Sequence, residues 1–172
     1  MSTIARMQRR DLMRTRTLIA ATVVLVAASA APAAAQQAAA DPVAAMQGGK
    51  QLFEKTCGLC HSLDRSLAPP RDAASWPQIV KRMVAYGAPL NAQQRPLVAR
   101  YLATQSVFAQ KCGVCHEATR VVGDAPGPRD WQALAGRMAE HARDLEKKGK
   151  APAAFTPEEL ADIAALLQVV IP

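Results

Sequence analysis

The pattern Cys-x-x-Cys-His occurs twice in this chain and contains most of its cysteine and histidine side chains. The copies are Cys57, Cys60 and His61, followed by Cys112, Cys115 and His116. This is the attachment pattern of haem c, in which both cysteines form thioethers to the porphyrin and the histidine ligates the iron. The two copies use all four cysteines and two of the three histidines of the chain. The sequence therefore predicts two covalently bound haem c groups.

Three other kinds of cysteine chemistry fit part of this pattern. Four cysteines in an exported chain allow three disulfide pairings, but the histidine after each pair then has no role. Two zinc knuckles are usually ~15–20 residues apart, whereas 51 residues separate Cys60 from Cys112. A thioredoxin-like redox pair needs strands around it, and the sequence has no such strand pattern. Haem attachment is the interpretation that gives every one of these residues a role.

The first 35 residues have the composition of a secretory signal peptide. Five arginines precede an apolar run from Leu18 to about Ala31, and small residues surround a predicted cleavage after Ala35. The apolar run is shorter than the ~20 residues that a membrane helix needs, so an uncleaved anchor is the less favoured alternative. We expect residues 1–35 to be removed, no membrane span afterwards, and a mature chain that acts in the bacterial periplasm.

The net charge gives little information about partners once this leader is set aside. The chain has 21 basic and 14 acidic residues, a formal net charge of +7. The leader holds five of the basic residues and one of the acidic residues, so the remainder carries +3. Because most of the basic excess belongs to the leader, the charge does not support nucleic-acid binding.

The rest of the chain is an internal repeat. A shift of 55 residues superposes the two motifs, and it also places Phe53 on Phe108 and Trp76 on Trp131. Towards the C-terminus the shift grows to 65, because the second copy has an insertion of about ten residues. Such a repeat indicates two structural units of the same kind. The predicted segments are a flexible lead-in at 36–47, a first unit at 48–104 and a second unit at 105–172.

Both units have the apolar spacing of helices. From Trp76 to Val84 apolar residues recur at steps of three and four, which is typical of an amphipathic helix. The helices predicted from such patterns lie at 49–56, from 76 onward, at 91–102, from about 106, at 130–147 and at 156–169. Thr156 and Glu159 form a capping box with a proline between them at the first helical position. No segment alternates like a strand, so the sequence predicts an all-α fold.

The chain resembles the class I c-type cytochromes, specifically their tandem dihaem members. The resemblance rests on Phe53 four residues before Cys57, on the Cys-x-x-Cys-His motif, and on a closing helix that bears Tyr101 and Leu102. The second copy matches at its own phenylalanine, motif and closing helix, so the resemblance covers nearly the whole mature chain. The pattern Trp-x5-Arg-Met, followed by Gly-Ala-Pro-Leu, is similar to small cytochrome subunits that accept electrons from periplasmic dehydrogenases.

This resemblance implies both an architecture and a function. It implies two tandem small cytochrome c domains, each with three to four helices around a covalently bound haem. It also implies a redox carrier rather than an enzyme, with redox proteins as partners: a dehydrogenase subunit as donor and a respiratory cytochrome or oxidase as acceptor. The alternative is a dihaem enzyme with an open or displaceable axial position, peroxidase-like or gas-binding. Such an enzyme needs acid–base groups near the iron, for which His141 is the candidate histidine.

Methionines are the candidates for the sixth iron ligand. Haem iron with histidine and methionine ligands has a higher potential and suits electron transfer. Met83 and Met138 occupy equivalent positions in the two units, each seven residues beyond a tryptophan. The predicted metal ligands are therefore His61, Met83, His116 and Met138. His141 lies three residues after Met138 on the same helix face and is the competing ligand of the second iron, a choice that the sequence leaves open.

Two further roles are expected around the haems. Trp76 and Trp131 are candidates to donate their indole N–H groups to haem propionates, with core packing as the equal alternative. The resemblance implies that a proline-containing loop after each motif supplies the carbonyl that orients the ligating histidine. The candidate loop residues are Pro69, Pro70, Pro126 and Pro128.

Overall fold

A computed structural model of the chain describes residues 41–67, 71–115, 117, 129–149 and 154–171. All regular secondary structure in these residues is helical and none of it is a strand, which confirms the all-α prediction. The predicted signal peptide, residues 36–40 of the lead-in, His116 and the four loop prolines lie outside the described residues. In the part of the chain that is described, no helix has the length and apolar character needed to cross a bilayer.

The described residues hold six α-helices. They are α1 Pro42–Leu52, α2 Asp64–Leu67, α3 Trp76–Ala85, α4 Gln94–Val107, α5 Trp131–Lys147 and α6 Pro157–Val170. A 3₁₀ turn, Ala73–Ser75, leads into α3. Two π-helical turns extend α1 and α4 directly, and they are Phe53–Cys57 and Phe108–Cys112.

Helix α1 begins earlier than the sequence predicts. The Asp41 carboxylate accepts a hydrogen bond from the Val43 N–H at 3.0 Å, and Pro42 occupies the first turn, where its missing N–H costs nothing. Met46 lies on this helix and is fully buried. Residues 42–47 are therefore helical and part of the core, which corrects the expectation of a flexible lead-in up to residue 47.

Helix α4 belongs to both copies of the repeat. It begins at Gln94, as the closing helix of the first copy, and continues without a break through Val107 into the turn that ends at Cys112. The predicted boundary between residues 104 and 105 lies inside this helix. The helix that we predicted to start near Ser106 is thus the end of α4, because the apolar face of α4 is buried along its length and no residue there ends it.

The starts of α5 and α6 follow from local capping. The Asp130 carboxylate accepts from the Ala133 N–H at 2.9 Å. At α6 the Glu159 N–H donates to the Thr156 hydroxyl at 3.1 Å, and the Thr156 N–H donates to the Glu159 carboxylate at 2.8 Å. This reciprocal pair is the predicted capping box, which is confirmed.

Two apolar cores lie on either side of the α4–α6 contact. The first core consists of Met46, Phe53, Trp76, Val80, Leu90, Val98, Ala99, Tyr101, Leu102, Ala165 and Leu166. The second and smaller core consists of Trp131, Ala135, Ile163, Ala164 and Leu167. Helix α6 contributes to both, since successive residues on it point to different sides. The closing helix of the second copy therefore also completes the core of the first.

An ion pair reinforces the contact between α4 and α6. The Arg100 Nε donates to the Asp162 carboxylate at 2.9 Å. The two side chains are only 27% and 11% exposed, so both charges are largely removed from water and each needs the other. The hydrogen bond to Asp162 raises the pKa of Arg100 against the opposing effect of burial. The pair joins α4 and α6 through two residues that lie 62 positions apart along the chain.

Ser106→Ala is expected to destabilise the first core. The Trp76 indole N–H donates to the Ser106 hydroxyl at 2.7 Å in a buried position, and the alanine would leave this donor without a partner. An unpaired buried donor costs about 1–3 kcal/mol, so the melting temperature should fall by several degrees. Thermal unfolding followed by circular dichroism measures the change. The control is the double variant Trp76→Phe/Ser106→Ala, compared with each single variant. If the hydrogen bond stabilises the core, the double variant should lose less stability than the two single variants together. Equality of the two losses would show that the bond contributes nothing.

Candidate functional site

The two Cys-x-x-Cys-His motifs occupy the same local structure. In each copy a helix widens into a π-helical turn that begins at a phenylalanine and ends at the first cysteine, namely Phe53–Cys57 and Phe108–Cys112. Short π-helical turns of this kind are rare and occur frequently at functional sites. Residues 58–60 and 113–115 then leave the helix in a turn. The same backbone turn thus leads into both motifs.

Within each motif the first cysteine packs on a core and the second is exposed. Cys57 lies against the first core and Cys112 against the second, and both are partly buried. Cys60 and Cys115 are exposed. All four thiols are free. Each motif therefore offers one thiol at the edge of an apolar core and another about one turn further on, at the surface.

The buried thiols are held in their neutral form. Burial raises the pKa of Cys112 to about 11, with a smaller contribution from Cys115, and it also raises the pKa of Cys57. At neutral pH both side chains are therefore uncharged thiols, which is compatible with the apolar residues around them.

The histidine of the first motif is oriented with one ring nitrogen free. The His61 Nδ1 donates a hydrogen bond to the Ser62 carbonyl at 3.0 Å. Because a carbonyl oxygen only accepts, Nδ1 carries the proton and Nε2 keeps its lone pair available for a metal. The carbonyl of the next residue performs the orienting role that the resemblance assigned to a proline loop. His116 lies outside the described residues.

A cavity of about 360 Å³ adjoins the second motif. Cys112 and Cys115 line it from the motif, and Met138 and His141 line it from α5. Its other lining side chains are mostly apolar, among them Phe108, Leu134, Phe155, Leu160, Ile163 and Leu167. Arg129 is also part of the wall. The structure thus brings both thiols of the second motif together with both sequence candidates for the sixth ligand.

The two candidate methionines differ in exposure. Met138 is 43% exposed where it lines the cavity, and its neighbour His141 is exposed as well. Met83 occupies the equivalent place on α3 and is partly buried. That helix contributes Trp76 and Val80 to the core against which Cys57 packs. Since both Met138 and His141 line the cavity, the choice between them stays open.

The two tryptophans are core residues in this structure. Trp76 and Trp131 are 4% and 6% exposed, one in each core. The Trp76 N–H already has a partner in Ser106, so this bond, rather than a propionate, satisfies the indole in the structure. Core packing, one of the two roles expected for this residue, is the role that its surroundings support.

Lys111 is a cavity residue that the sequence analysis missed. Its ammonium group donates to the Glu159 carboxylate at 2.7 and 2.9 Å and to the Ala154 carbonyl at 3.0 Å. It also lies 5.2 Å from the centre of the Phe155 ring. Burial raises the pKa of Glu159, but the hydrogen bonds from Lys111 and Thr156 outweigh this effect and leave the pKa below its usual 4.5. The Glu159 carboxylate is therefore charged at neutral pH.

Within the described residues each copy provides part of what the group that the motifs predict would need, and the second copy provides most of it. A haem needs an apolar cavity, two thiols on its wall and a histidine with a free nitrogen, together with a second ligand from the opposite side. The second copy provides the cavity, the thiols and two candidate distal ligands. The first copy provides a thiol against a core and a histidine with Nε2 free. In the described residues no group of three or more histidine, cysteine, aspartate and glutamate side chains is gathered as a metal site.

Comparisons with protein-family models, curated proteins and solved structures find no match to this chain.

Proposed function

We propose that this chain is a periplasmic dihaem c-type cytochrome that relays single electrons between a dehydrogenase or other donor and a respiratory acceptor. The observation that carries the proposal is the occurrence of Cys-x-x-Cys-His twice, each time after the same π-helical turn and with its first thiol on an apolar core. When bound, each haem supplies an iron that takes up and releases one electron. Redox proteins are the proposed partners, and no substrate chemistry is assigned to the chain.

The roles of the residues follow from their positions. Cys57, Cys60, Cys112 and Cys115 hold the two groups covalently, and His61 and His116 are the proposed ligands from the motif side. Met83 and Met138 are the proposed ligands from helices α3 and α5. Each core lies against the first cysteine of its motif, so a haem held there would have apolar side chains beside it. We further propose two small cytochrome domains fused through α4, rather than joined by a linker.

The test of this proposal is production of the chain with a signal peptide in cells that carry a cytochrome c maturation system. The mass of the purified protein should exceed that of the mature chain by two haems, and an optically monitored redox titration should resolve two one-electron components. A chain without covalent haem would refute the proposal and return the cysteines to disulfide or zinc chemistry.

The alternative function is an enzyme at the second motif, peroxidase-like or gas-binding. The observation in its favour is that Met138 is 43% exposed beside a cavity, so this ligand could be displaced. Carbon monoxide binding to the reduced protein and peroxide turnover distinguish the two functions. An electron carrier should do neither quickly, while rapid binding or turnover by the native protein would favour the enzyme.

Met138→Leu and Met83→Leu are each expected to change one haem only. Leucine has no thioether, so the variant should lose the spectroscopic signature of methionine ligation at that iron. The potential should fall by an amount on the order of 0.1 V, within the ~0.8 V that axial ligands span. Redox titration and paramagnetic NMR measure both effects. Met46→Leu is the control, because Met46 is buried in the first core but lies on α1, which carries neither of the proposed methionine ligands. Unchanged spectra in both variants would exclude methionine ligation.

A further inference from the structure

Gln94 and Glu159 are one of several pairs of equivalent positions at which the two copies of the repeat differ in charge. Reciprocal hydrogen bonds between a residue and the one three places later occur at the start of α6 and in the turn that leads into α4. In the turn before α4 the Asn91 N–H donates to the Gln94 side chain at 3.0 Å and the Gln94 N–H donates to Asn91 at 2.9 Å. Thr156 and Glu159 make the same two bonds in α6. Gln94 and Glu159 are therefore equivalent in structure as well as in sequence, and one is neutral while the other is charged.

The residue before the first cysteine of each motif differs in the same way. A shift of 55 residues places Thr56 on Lys111, so the first copy has a hydroxyl where the second has an ammonium group. In the second copy this ammonium group meets the carboxylate of Glu159. The second copy thus has an ion pair where the first copy has two uncharged side chains, Thr56 and Gln94.

One member of this ion pair lines the cavity, and both members are partly shielded from water. Lys111 is the lining residue, and its neighbour along the chain is Cys112. The Lys111 and Glu159 side chains are 18% and 25% exposed, so their charges are screened less than those of a surface pair. Lys111 also donates to the Ala154 carbonyl and lies 5.2 Å from the centre of the Phe155 ring, which lines the cavity.

We propose that the Lys111–Glu159 ion pair keeps the charge beside the second haem balanced, so that neither side chain alone shifts the reduction potential of that haem. The inference rests on the proposed function, because it requires a haem in this cavity. Oxidised haem iron carries one more positive charge than reduced iron, so an unbalanced positive charge nearby favours reduction and an unbalanced negative charge favours oxidation. With both members present the two effects nearly cancel. Lys111 therefore prevents the change in potential that Glu159 alone would cause, and Glu159 does the same for Lys111.

The experiment is a redox titration of holoprotein variants that give the second copy the side chains of the first. Lys111→Thr leaves Glu159 unbalanced and should lower the potential of the component that Met138→Leu identifies as the second haem. Glu159→Gln leaves Lys111 unbalanced and should raise it. The potential of this component in the double variant should lie between its values in the two single variants. The potential of the first haem should stay unchanged in all three.

Shifts of the potential in opposite directions in Lys111→Thr and Glu159→Gln distinguish an electrostatic role of the pair from a structural one. If the pair only held Phe155 in place, breaking it from either side would admit water and lower the potential in both single variants. Shifts of equal sign, or a Glu159→Gln variant with an unchanged potential, would overturn the proposal. Lys111→Met, which keeps most of the apolar stem, replaces Lys111→Thr if the threonine variant does not accumulate.

A surface lysine provides the matched control. Lys147 pairs with Asp144 at 3.6 Å, and both side chains are well exposed, at 77% and 67%. Lys147→Thr should leave both potentials unchanged, because water and salt screen charges at the surface. A wild-type protein without covalent haem would contradict the proposed function itself, whereas two haems with unresponsive potentials would contradict only the role of the ion pair.

Discussion

Replacing Cys112 and Cys115 together with serine is expected to halve the covalently bound haem, from two groups per chain to one. Serine cannot form the thioether links, and the cavity beside the motif offers mostly apolar contacts that do not fasten a group in place. The haem content per chain, measured by mass and by the absorbance of the pyridine complex, tests this directly.

The equivalent change in the first motif is the matched control. Cys57→Ser/Cys60→Ser should also leave one haem per chain, and the variant with all four cysteines replaced should carry none. The two double variants should retain different redox components, which assigns each component to its motif. A variant that lacks Cys112 and Cys115 but still carries two covalent haems would contradict the assignment of the motifs.

The loss of the second haem should also loosen helix α5. This helix makes its main described packing contact with α6 alone, and Leu134, Ala135, Met138 and Leu145 line the cavity from its side. Without a group in the cavity these side chains lack partners on one side. Hydrogen exchange in the Cys112→Ser/Cys115→Ser variant should therefore increase in α5 more than in α1 or α4, which pack on each other in the first core.

Gly49→Ala is expected to destabilise the fold by about 3 kcal/mol, which would lower the melting temperature by roughly 10 °C. Helices α1 and α4 cross at this glycine. A β-carbon built there would lie 2.5 Å from the Leu97 carbonyl oxygen and 2.7 Å from the Tyr101 β-carbon. The backbone of α4 fixes the positions of both of these atoms. The two helices must therefore move apart to make room for the β-carbon. The first core would then lose the close packing that includes the Phe53–Tyr101 ring pair, whose centres are 5.8 Å apart.

The preceding residue provides the control for this prediction. A β-carbon at Gly48 would meet only the end of the Leu97 side chain at 3.7 Å, an ordinary contact. Gly48→Ala should therefore stabilise α1 by up to ~1 kcal/mol through its helix propensity. Thermal or denaturant unfolding of the two holoproteins makes the comparison. Equal effects of the two alanines would show that the helices do not approach each other at Gly49.

The contacts between the two copies of the repeat contribute to the stability of the fold. Units of about 60 residues bury only ~60% of their unfolded surface and are marginal alone. Here Ala165 and Leu166 of the last helix complete the first core, and the Arg100–Asp162 pair joins α4 to α6. The first copy of the repeat is therefore stabilised in part by the last helix of the second copy.

Features that depend on neighbouring residues are predictable from the sequence alone. The Cys-x-x-Cys-His spacing, the apolar stripe of α3 and the Thr156–Glu159 capping box are local patterns, and the described structure has the predicted helices at those places. The equivalence of the two copies was also available from sequence, since the shift of 55 residues aligns their motifs. Binding of haem and electron transfer stay predictions, which the experiments above test.

Features that depend on distant contacts become visible only in the fold. Met46 is buried because α4 and α6 cover α1, and no local pattern in an alanine- and glutamine-rich segment indicates this. The sharing of α4 by both copies follows from packing on both sides of one helix. The Lys111–Glu159 pair joins residues 48 positions apart, and the sequence shows only a lysine where the first copy has a threonine. Periodicity and capping act over a few residues, whereas the meeting of such groups requires the folded chain.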